Sequence, residues 1–358
     1  MTNVGEEQDD RRPGAAEPTL ADKVAFLLRP GAYPPGVGAV TARETHMSWV
    51  FLAGDRVYKL KKPVRFFYLD FSTLARRAAM CRAEVRLNRR LAPHVYLGVR
   101  ALTVSAAGLA IGGEGRVVDW LVVMRRLPEG RTLEDAILAG RVAPADADRV
   151  ADTLAGFYRH ARRVPATAPR HLAEWSAAIA DDRRVLLDRR LGLPSGVVHL
   201  VDRVQRRFLA EAGDLLAARI RQRRIVDAHG DLRPEHIWLD DPVAVIDCLE
   251  FNARLRALDV ADELAFLDLE CARLGAPWVG ERIRRRVLAA LGDRPPEPLT
   301  LFYRCHRATL RARLAIAHLL EPNPRTPEKW PRLARAYLRS AAADAARLDR
   351  WLRTRGGR

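Results

Sequence analysis

The stretch that decides the fold runs from Ala228 to Phe251 and reads AHGDLRPEHIWLDDPVAVIDCLEF. Asp231 lies at the exit of one short apolar run, and Asp247 ends another run sixteen residues later. Because a hairpin joins the two runs, both carboxylates are expected to point into the same cavity. Such a pair offers one base and one metal-binding carboxylate, the two groups that phosphoryl transfer requires. Taken singly, either aspartate could be a loop carboxylate that caps a turn.

Helical patterns dominate the sequence on both sides of this stretch. From Thr132 onward the pattern is helical, with three β-type runs at Ile225–Ala228, His236–Leu239 and Val243–Asp247. After Asp259 the helical pattern resumes and continues to the C-terminus. The second part of the chain is therefore expected to be a helical lobe with a polar loop cluster in its middle.

The first third of the chain predicts a small antiparallel sheet with one long helix. A short helix is expected at Ala21–Leu28 and a hairpin at Ser48–Arg65. Asp70 and Ser72 are cap candidates for a long helix that runs to about Leu91. Three further strands are expected at Val99–Val104, Gly108–Ile111 and Val117–Met124. A small β-rich lobe before a helical lobe makes a bilobal α+β fold, whose ligand site is expected in the cleft between the lobes.

The composition excludes several classes of protein. The chain has 358 residues, of which 48% are hydrophobic, enough to bury a core in one large or two medium domains. No apolar run reaches the roughly 18 residues of a membrane span, and the polar N-terminus lacks the apolar core of a secretory signal. The four cysteines show no CxxC spacing, which disfavours a zinc module or a disulfide scaffold. We therefore expect a cytoplasmic protein with no membrane partner.

The charge balance is strongly basic but indicates little about partners. Lysine and arginine number 61 against 44 acidic residues, which gives a net charge of +17. Such a balance can indicate nucleic-acid binding. Only five of the basic residues are lysines, however, and arginine and alanine crowd every helical stretch, as a GC-rich coding bias would produce. A nucleic-acid partner is therefore disfavoured, and a pocket for an anionic substrate remains open.

The catalytic stretch resembles the aminoglycoside phosphotransferase family, a branch of the protein-kinase-like fold. That family has the pattern HGDxxxxN, then an apolar strand, then IDxxx, and this sequence has HGD at 229–231 and ID at 246–247. The resemblance implies that Asp231 is the catalytic base and that Asp247 is a magnesium ligand. It also implies that Asp259, in the downstream DVA segment, supports the catalytic loop through hydrogen bonds.

The resemblance covers about Thr45–Glu270 and extends to a more specific group. The segments ETHMSWVF and GDRVYKLKKPV look like those of an uncharacterised bacterial subgroup whose members are sometimes fused to a P-loop ATPase domain. No GxxxxGK[ST] motif occurs, so we expect the kinase-like part alone. The implied organisation is a flexible tail at 1–18, a nucleotide-binding lobe at 19–124 and a helical catalytic and acceptor-binding lobe at 125–358.

Other parts of a kinase-like site are expected upstream, in order. The strand VYKLKKP supplies Lys59 as the implied phosphate-binding lysine, with Lys61 on the same face as the alternative. Glu84 falls on the apolar stripe of the long helix, where a carboxylate would fix the lysine beside the phosphates. The segment after the last strand is similar to the family's connection between lobes. Main-chain groups of three residues there are implied to bind the adenine edge: Met124, Arg125 and Arg126.

The sequence departs from the family pattern at the second metal ligand. The asparagine expected five residues after the catalytic aspartate is His236. Imidazole suits Mn²⁺ better than Mg²⁺, so His236 could bind a softer ion, or Glu235 or Glu250 could substitute for it. Alternatively, the second metal is lost, or His236 only forms a hydrogen bond to Asp247.

The glycine-rich phosphate loop of kinases is also absent. The segment His46-Met47-Ser48 occupies its place before the hairpin. Its N–H groups and the Ser48 hydroxyl could hold phosphate oxygens. A plain loop that leads into a strand is the equal alternative.

The resemblance implies an ATP-dependent phosphotransferase that uses Mg²⁺ or Mn²⁺ and acts on a hydroxyl of an unidentified small molecule; GTP is not excluded as the donor. A nucleotide-binding pseudokinase with a regulatory role is the first alternative. A nucleic-acid-associated basic protein is the second. The arginines of Tyr303–Arg313 could line an acceptor pocket, but a solvated helix face is favoured.

Overall fold

The computed structural model describes residues 17–66, 69–321, 324 and 326–356. The predicted tail therefore lies outside the described residues, apart from its last two positions. The chain folds into two compact units. The first comprises the described residues within 1–85 and 94–126, and the second comprises those within 86–93 and 127–358.

The first unit is an antiparallel sheet with two helices. Its six main strands run in the order β1-β2-β3-β8-β6-β7. This arrangement confirms the predicted sheet with one long helix, and adds β1, which the sequence patterns did not predict. The elements are α1 (Leu20–Leu27), β1 (Val40–Glu44), β2 (Ser48–Ala53), β3 (Arg56–Lys61), β4 (Arg65–Phe66), β5 (Leu69–Asp70), α2 (Leu74–Asn88), β6 (Tyr96–Ser105), β7 (Gly108–Ile111) and β8 (Arg116–Arg125).

The alternation of side chains in β3 gives the sheet two different faces. Gly54, at a φ of 60°, makes the tight turn between β2 and β3, a conformation that glycine adopts without strain. Tyr58 and Leu60 are buried in an apolar cluster with residues of α1 and β8. Lys59 and Lys61 alternate with them and therefore lie on the opposite face.

The second unit is predominantly helical. Two short antiparallel strand pairs, β9 with β12 and β10 with β11, interrupt the helices. No helix of the described ranges is long and apolar enough to cross a membrane. The elements are α3 (Leu133–Leu138), α4 (Pro144–His160), α5 (Ala168–Leu186), α6 (Ser195–Arg221), β9 (Ile225–Asp227), β10 (Ile237–Trp238), β11 (Ala244–Val245), β12 (Ala257–Asp259), α7 (Val260–Arg273), α8 (Pro277–Ala290), α9 (Glu297–Ala317) and α10 (Lys329–Gly356).

Helix α7 lies in the centre of this unit and is buried from its first residue to Cys271. Its carboxylates pair with arginines of α9, which corrects the expectation of a solvated arginine face. Arg307 binds Asp262 through two hydrogen bonds of 2.8 and 2.6 Å. Arg304 lies 2.8 Å from Asp268. The arginines of α9 face inward because buried carboxylates on another helix compensate their charge.

Candidate active site

The loop that carries Asp231 follows β9 and is fixed through its main chain. The N–H groups of His229 and Gly230 both donate to the carboxylate of Glu263 in α7, with His229 N 3.0 Å from Oε2. The Tyr158 hydroxyl donates to the same Oε2 at 2.6 Å. Gly230 has a φ of 92°, and a Cβ there would lie 3.0 Å from a leucine side chain. This position of the loop therefore requires glycine.

The support that the resemblance implied for Asp259 comes from Glu263 instead. Asp259 caps α7 by accepting the N–H of Ala261 at 2.9 Å. Its oxygens also bind Arg219, at 2.6 and 2.8 Å, and accept the Tyr303 hydroxyl at 2.9 Å. The prediction for Asp259 was therefore wrong, because the carboxylate that supports this loop lies one helical turn further along the chain. Glu263 in α7 is the carboxylate that binds the loop carrying Asp231.

The imidazole of His229 connects this loop to the loop that carries Asp247. Its Nε2 lies 2.9 Å from the carbonyl oxygen of Ile246 and must donate to it. Its Nδ1 then accepts the N–H of Asp231 at 3.3 Å. Burial lowers the pKa of the fully buried His229, so the ring is neutral at pH 7.

The Asp231 carboxylate is shielded and paired. Only 22% of its side chain is exposed, and Nη2 of Arg233 donates to its Oδ2 at 2.9 Å. Burial by itself raises the pKa of this carboxyl. The positive charges of Arg233 and Arg311 oppose this effect of burial, and the pKa of Asp231 lies below its ordinary value. Asp231 is therefore an ionised carboxylate, the protonation state in which a general base accepts a proton.

Arg233 is a site residue that sequence reasoning missed. Besides Asp231, its guanidinium forms an ion pair with Glu235 and lies 3.3 Å from Nε2 of His236. Burial lowers the pKa of this guanidinium, but the nearby carboxylates of Asp231 and Glu235 raise it further, so the charge is permanent. A usable signal was present in the sequence, because a cation two residues after a catalytic aspartate lies within reach of that aspartate.

Asp247 occupies a different environment at the end of β11. Its backbone has a φ of 64°, in the left-handed region, and 51% of its side chain is exposed. The flanking main chain is anchored on both sides. The N–H of Ile246 donates to the carbonyl of His236 at 2.9 Å, and the N–H of Cys248 donates to Oδ1 of Asn88 at 2.9 Å. The loop therefore presents the carboxylate outward from a fixed backbone.

His236 lies between the two carboxylates. Its Nδ1 is 2.9 Å from the carbonyl oxygen of Asp231 and donates to it, which leaves Nε2 as the acceptor. Nε2 lies 3.7 Å from Oδ2 of Asp247. The same nitrogen faces the guanidinium of Arg233, which competes with any metal for its lone pair. The ligand role of His236 therefore stays a prediction.

The side-chain ligands near Asp247 suit a metal ion that binds together with the phosphates of a nucleotide. Within the described ranges, no group of three or more His, Cys, Asp or Glu side chains is arranged to hold a metal ion. Mg²⁺ at phosphoryl-transfer sites is held by one or two carboxylates together with substrate phosphates and water. The half-exposed Asp247 suits that arrangement. Glu235, a possible substitute ligand, is paired with Arg233, and Glu250 stays a prediction.

Two lysines of β3 share one carboxylate in the first unit. Nζ of Lys59 lies 2.9 Å from Oε1 of Glu84, and Nζ of Lys61 lies 2.6 Å from Oε2. Lys61 is 1% exposed and lies over the ring of Phe71, whereas 17% of the Lys59 side chain is exposed. Burial raises the pKa of Glu84, but the two lysines outweigh it and the pKa lies below its ordinary value. The partial exposure favours Lys59 as the lysine that reaches a ligand.

The remaining predicted nucleotide contacts lie at strand ends of the same unit. Ser48 begins β2 opposite Lys61 and is 2% exposed. Met124 pairs with strand residues on both sides in β8. The N–H groups of Arg125 and Arg126 donate to carbonyls of residues 95 and 55, both at 2.8 Å. Those two donors are thus already used, so a nucleobase would need other main-chain groups there. The roles of these residues stay predictions.

Three solved structures of small-molecule kinases and phosphotransferases resemble this chain. A choline/ethanolamine kinase family protein from Mesorhizobium loti has a TM-score of 0.55 at 16% identity and covers 94% of this chain and 99% of its own. The GDP complex of aminoglycoside 2'-phosphotransferase-IIIa has a TM-score of 0.54 at 17% identity, with coverages of 90% and 98%. A choline kinase from Cryptosporidium parvum has a TM-score of 0.55 at 10% identity, with coverages of 92% and 97%.

This chain has an aminoglycoside phosphotransferase-type, protein-kinase-like fold. The predicted resemblance and the bilobal α+β class are thereby confirmed. At these identities the likeness establishes the fold of this chain and leaves its activity and substrates open.

The sequence relatives are longer than this chain, and their names give no function. No protein-family model matches the chain. Uncharacterized proteins of Mycobacterium bovis and Mycobacterium tuberculosis are 33% identical to it over 295 residues, which is 80% of this chain and 56% of theirs. The chain thus spans little more than half the length of these relatives. The P-loop ATPase fusion in related proteins stays a prediction.

Proposed function

We propose that the protein transfers the terminal phosphoryl group of a nucleoside triphosphate to a hydroxyl of a small molecule. The observation that carries the proposal is the contrast between two carboxylates on adjacent loops. Asp231 is shielded and ionised beside Arg233, while Asp247 is half exposed and accessible to a solvated ion. Phosphoryl transfer needs both kinds of group, one to position the nucleophile and one to hold a cation on the phosphates.

Asp231 would orient the acceptor hydroxyl and accept its proton as the phosphoryl group is transferred. Arg233 keeps this carboxylate charged and holds it in one orientation through the 2.9 Å hydrogen bond. Glu263 fixes the main chain of the preceding residues, His229 and Gly230, so that Asp231 follows a rigid loop. These contacts all lie within the second unit and serve the acceptor half of the reaction.

Asp247, with His236 possible as a second ligand, would hold a divalent cation. When bound, Mg²⁺ or Mn²⁺ would neutralise charge on the transferring phosphates. Lys59 would contact phosphate oxygens while Glu84 fixes its position. One similar structure is described as a GDP complex of an aminoglycoside phosphotransferase, which supports a purine nucleotide as the donor. We propose ATP as the donor, with GTP as the alternative.

A nucleotide-binding pseudokinase is the second candidate. Its support is the contact between Arg233 and Nε2 of His236, which occupies the lone pair of the residue at the family's second metal-binding position. The ionised Asp231 and the half-exposed Asp247 favour transfer instead. Nucleotide binding without turnover in any acceptor screen would support the regulatory role.

The experiment that tests the proposal is a transfer assay on a library of hydroxyl-bearing metabolites. ATP and GTP are each supplied with Mg²⁺ or Mn²⁺, and wild type is measured beside Asp231→Asn. We expect at least one acceptor to be phosphorylated by wild type and not by the variant. Equal product formation by both proteins would reject the assigned base. Nucleotide binding without any acceptor would favour the pseudokinase.

A further inference from the structure

The first unit contains a cavity on the sheet face opposite Lys59. It has a volume of about 580 Å³ and is lined by residues of β3, β6, β7 and β8 and of the segment after α1. Tyr58 and Val123 form its floor and lie directly opposite each other in the pairing of β3 with β8. Since Lys59 follows Tyr58 on the strand, the two side chains lie on different faces. The cavity is therefore separate from the predicted phosphate-binding lysine.

An irregularity in β6 opens this cavity. The pairing of β6 with β8 shifts between Tyr96 and Gly98, so Leu97 is an extra residue that bulges from the strand. Gly98 lies opposite Val123 and contributes no side chain, and a Cβ there would meet no atom within 4 Å. Leu97, which also lines the cavity, is 45% exposed. The bulge thus leaves apolar surface of the sheet uncovered.

The Tyr33 hydroxyl of the cavity donates to the carbonyl of Leu27, whereas the other polar groups have no close partner within the described part of the chain. Tyr58 is 4% exposed, yet its hydroxyl forms no hydrogen bond with a described residue. Arg100 forms no hydrogen bond or ion pair there. Arg56 has only the neighbouring Asp55, whose carboxylate is 3.9 Å away and 90% exposed. The hydroxyl is not among the fully buried side-chain atoms that lack a partner, so it remains accessible from the cavity, where a ligand can complete its hydrogen bond.

The chemistry of these groups defines the ligand that would complete them. Two guanidinium groups at the rim recognise a carboxylate, sulfonate or phosphate. The rings of Tyr33 and Tyr58 and the side chains of Leu97 and Val123 suit an apolar or aromatic body. The volume lies within the range of small-molecule sites. We propose that this cavity binds a small organic anion with an aromatic body, at a site on the sheet face opposite Lys59.

The test uses 1-anilinonaphthalene-8-sulfonate, an aromatic anion whose fluorescence rises on binding, with saturating ATP and Mg²⁺ present to occupy nucleotide sites. Arg100→Gln removes a charge-assisted hydrogen bond and should weaken binding about tenfold. Tyr58→Phe removes only a neutral hydrogen bond and should weaken it about threefold. Arg116→Gln, an exposed arginine at the start of β8 outside the cavity, is the matched control and should bind as wild type does.

A neutral probe of the same shape, N-phenyl-1-naphthylamine, separates charge from apolar contact. Its affinity should be the same in wild type and Arg100→Gln, and lower when the cavity floor is narrowed by Val123→Phe. Equal affinities of the sulfonate for Arg100→Gln and Arg116→Gln would overturn the proposal. Complete displacement of the sulfonate by ATP would also overturn it, because the probe would then occupy the nucleotide site.

Discussion

The loops after β9 and β11 carry one aspartate each, and the two side chains differ in their exposure to solvent. Asp231 has 22% of its side chain exposed and is bound by Arg233, whereas Asp247 has 51% exposed and sits at a left-handed backbone position. Both loops are nonetheless anchored through their main chains, one by Glu263 and the other by Asn88. The fold thus anchors the main chain of both loops but gives the two carboxylates different access to solvent.

This difference in access suits different chemical roles. A base that acts on a neutral hydroxyl benefits from shielding, since nearby fixed charges rather than water then control its protonation. A ligand for a hydrated divalent cation needs accessible oxygens, because Mg²⁺ keeps several of its waters. The comparison therefore supports the proposal that Asp231 acts on the acceptor and that Asp247 binds the cation.

The largest effect is expected from Asp231→Asn. The amide has the same shape but accepts no proton, so turnover should fall by about a thousandfold. Single-turnover kinetics should show the loss in the chemical step. The matched variant Arg233→Gln leaves the base in place without its ion pair and should lose less. Near-normal turnover by Asp231→Asn would show that Asp231 is not the base and would contradict the division of roles between the two aspartates.

A smaller loss is expected from Asp247→Asn, and it should respond to the cation. Removing a charged oxygen ligand should raise the metal concentration for half-maximal activity by about tenfold to a hundredfold. Excess metal should therefore restore part of the activity, which it cannot do for Asp231→Asn. The check is a titration of turnover against Mg²⁺ in both variants. Identical metal curves in the two variants would contradict the division of roles.

The two lysines of β3 offer a sharper form of the same contrast. Lys59→Met should weaken nucleotide binding by about tenfold, since a charge-assisted contact to phosphate is lost. Lys61→Met should leave binding closer to wild type but lower the free energy of unfolding by up to about 3 kcal/mol, because a buried partner of Glu84 is removed. Lys62→Met, whose parent lysine binds Glu44, is the control. The reverse pattern would make Lys61 the phosphate-binding residue.

Local spacing explains why much of the site could be predicted from the sequence. Asp231 and Asp247 lie in one short stretch, and their positions at strand ends follow from hydrophobic runs that can be read directly. The Lys59–Glu84 pair followed from the family resemblance, and the structure joins the two at 2.9 Å. Lys61 was predicted only as the alternative to Lys59, and its contact with Glu84 was not predicted. Strand alternation puts both lysines on one face but does not determine how many of them one glutamate binds.

Contacts between distant helices explain what the sequence could not predict. The prediction of a solvated arginine face on α9 was wrong because Arg307 binds Asp262, which lies 45 residues away in the chain. Asp259 and Glu263 lie one helical turn apart. The packing of α7 determines which of them contacts the loop that carries Asp231. Strand β1 was missed because it is only five residues long and its alternating apolar positions, Val40 and Ala42, are only partly buried.

The smallest effect is expected from His236→Asn. An amide can still donate to the carbonyl of Asp231, so turnover should change by less than about tenfold. It also introduces the oxygen ligand of the family pattern, which should shift the metal preference of the proposed activity from Mn²⁺ toward Mg²⁺. Activity against both metals, with His236→Ala as the control, checks this. An unchanged ratio of the two activities would leave Asp247 as the sole predicted ligand.

The most direct test of the two roles is the effect of Mg²⁺ on nucleotide affinity in the two aspartate variants. Isothermal titration of ATP, with and without Mg²⁺, measures this effect without any acceptor. We predict that Asp231→Asn keeps the gain in affinity that wild type obtains from Mg²⁺ and that Asp247→Asn loses it. Loss of that gain in Asp231→Asn, with its retention in Asp247→Asn, would contradict the account.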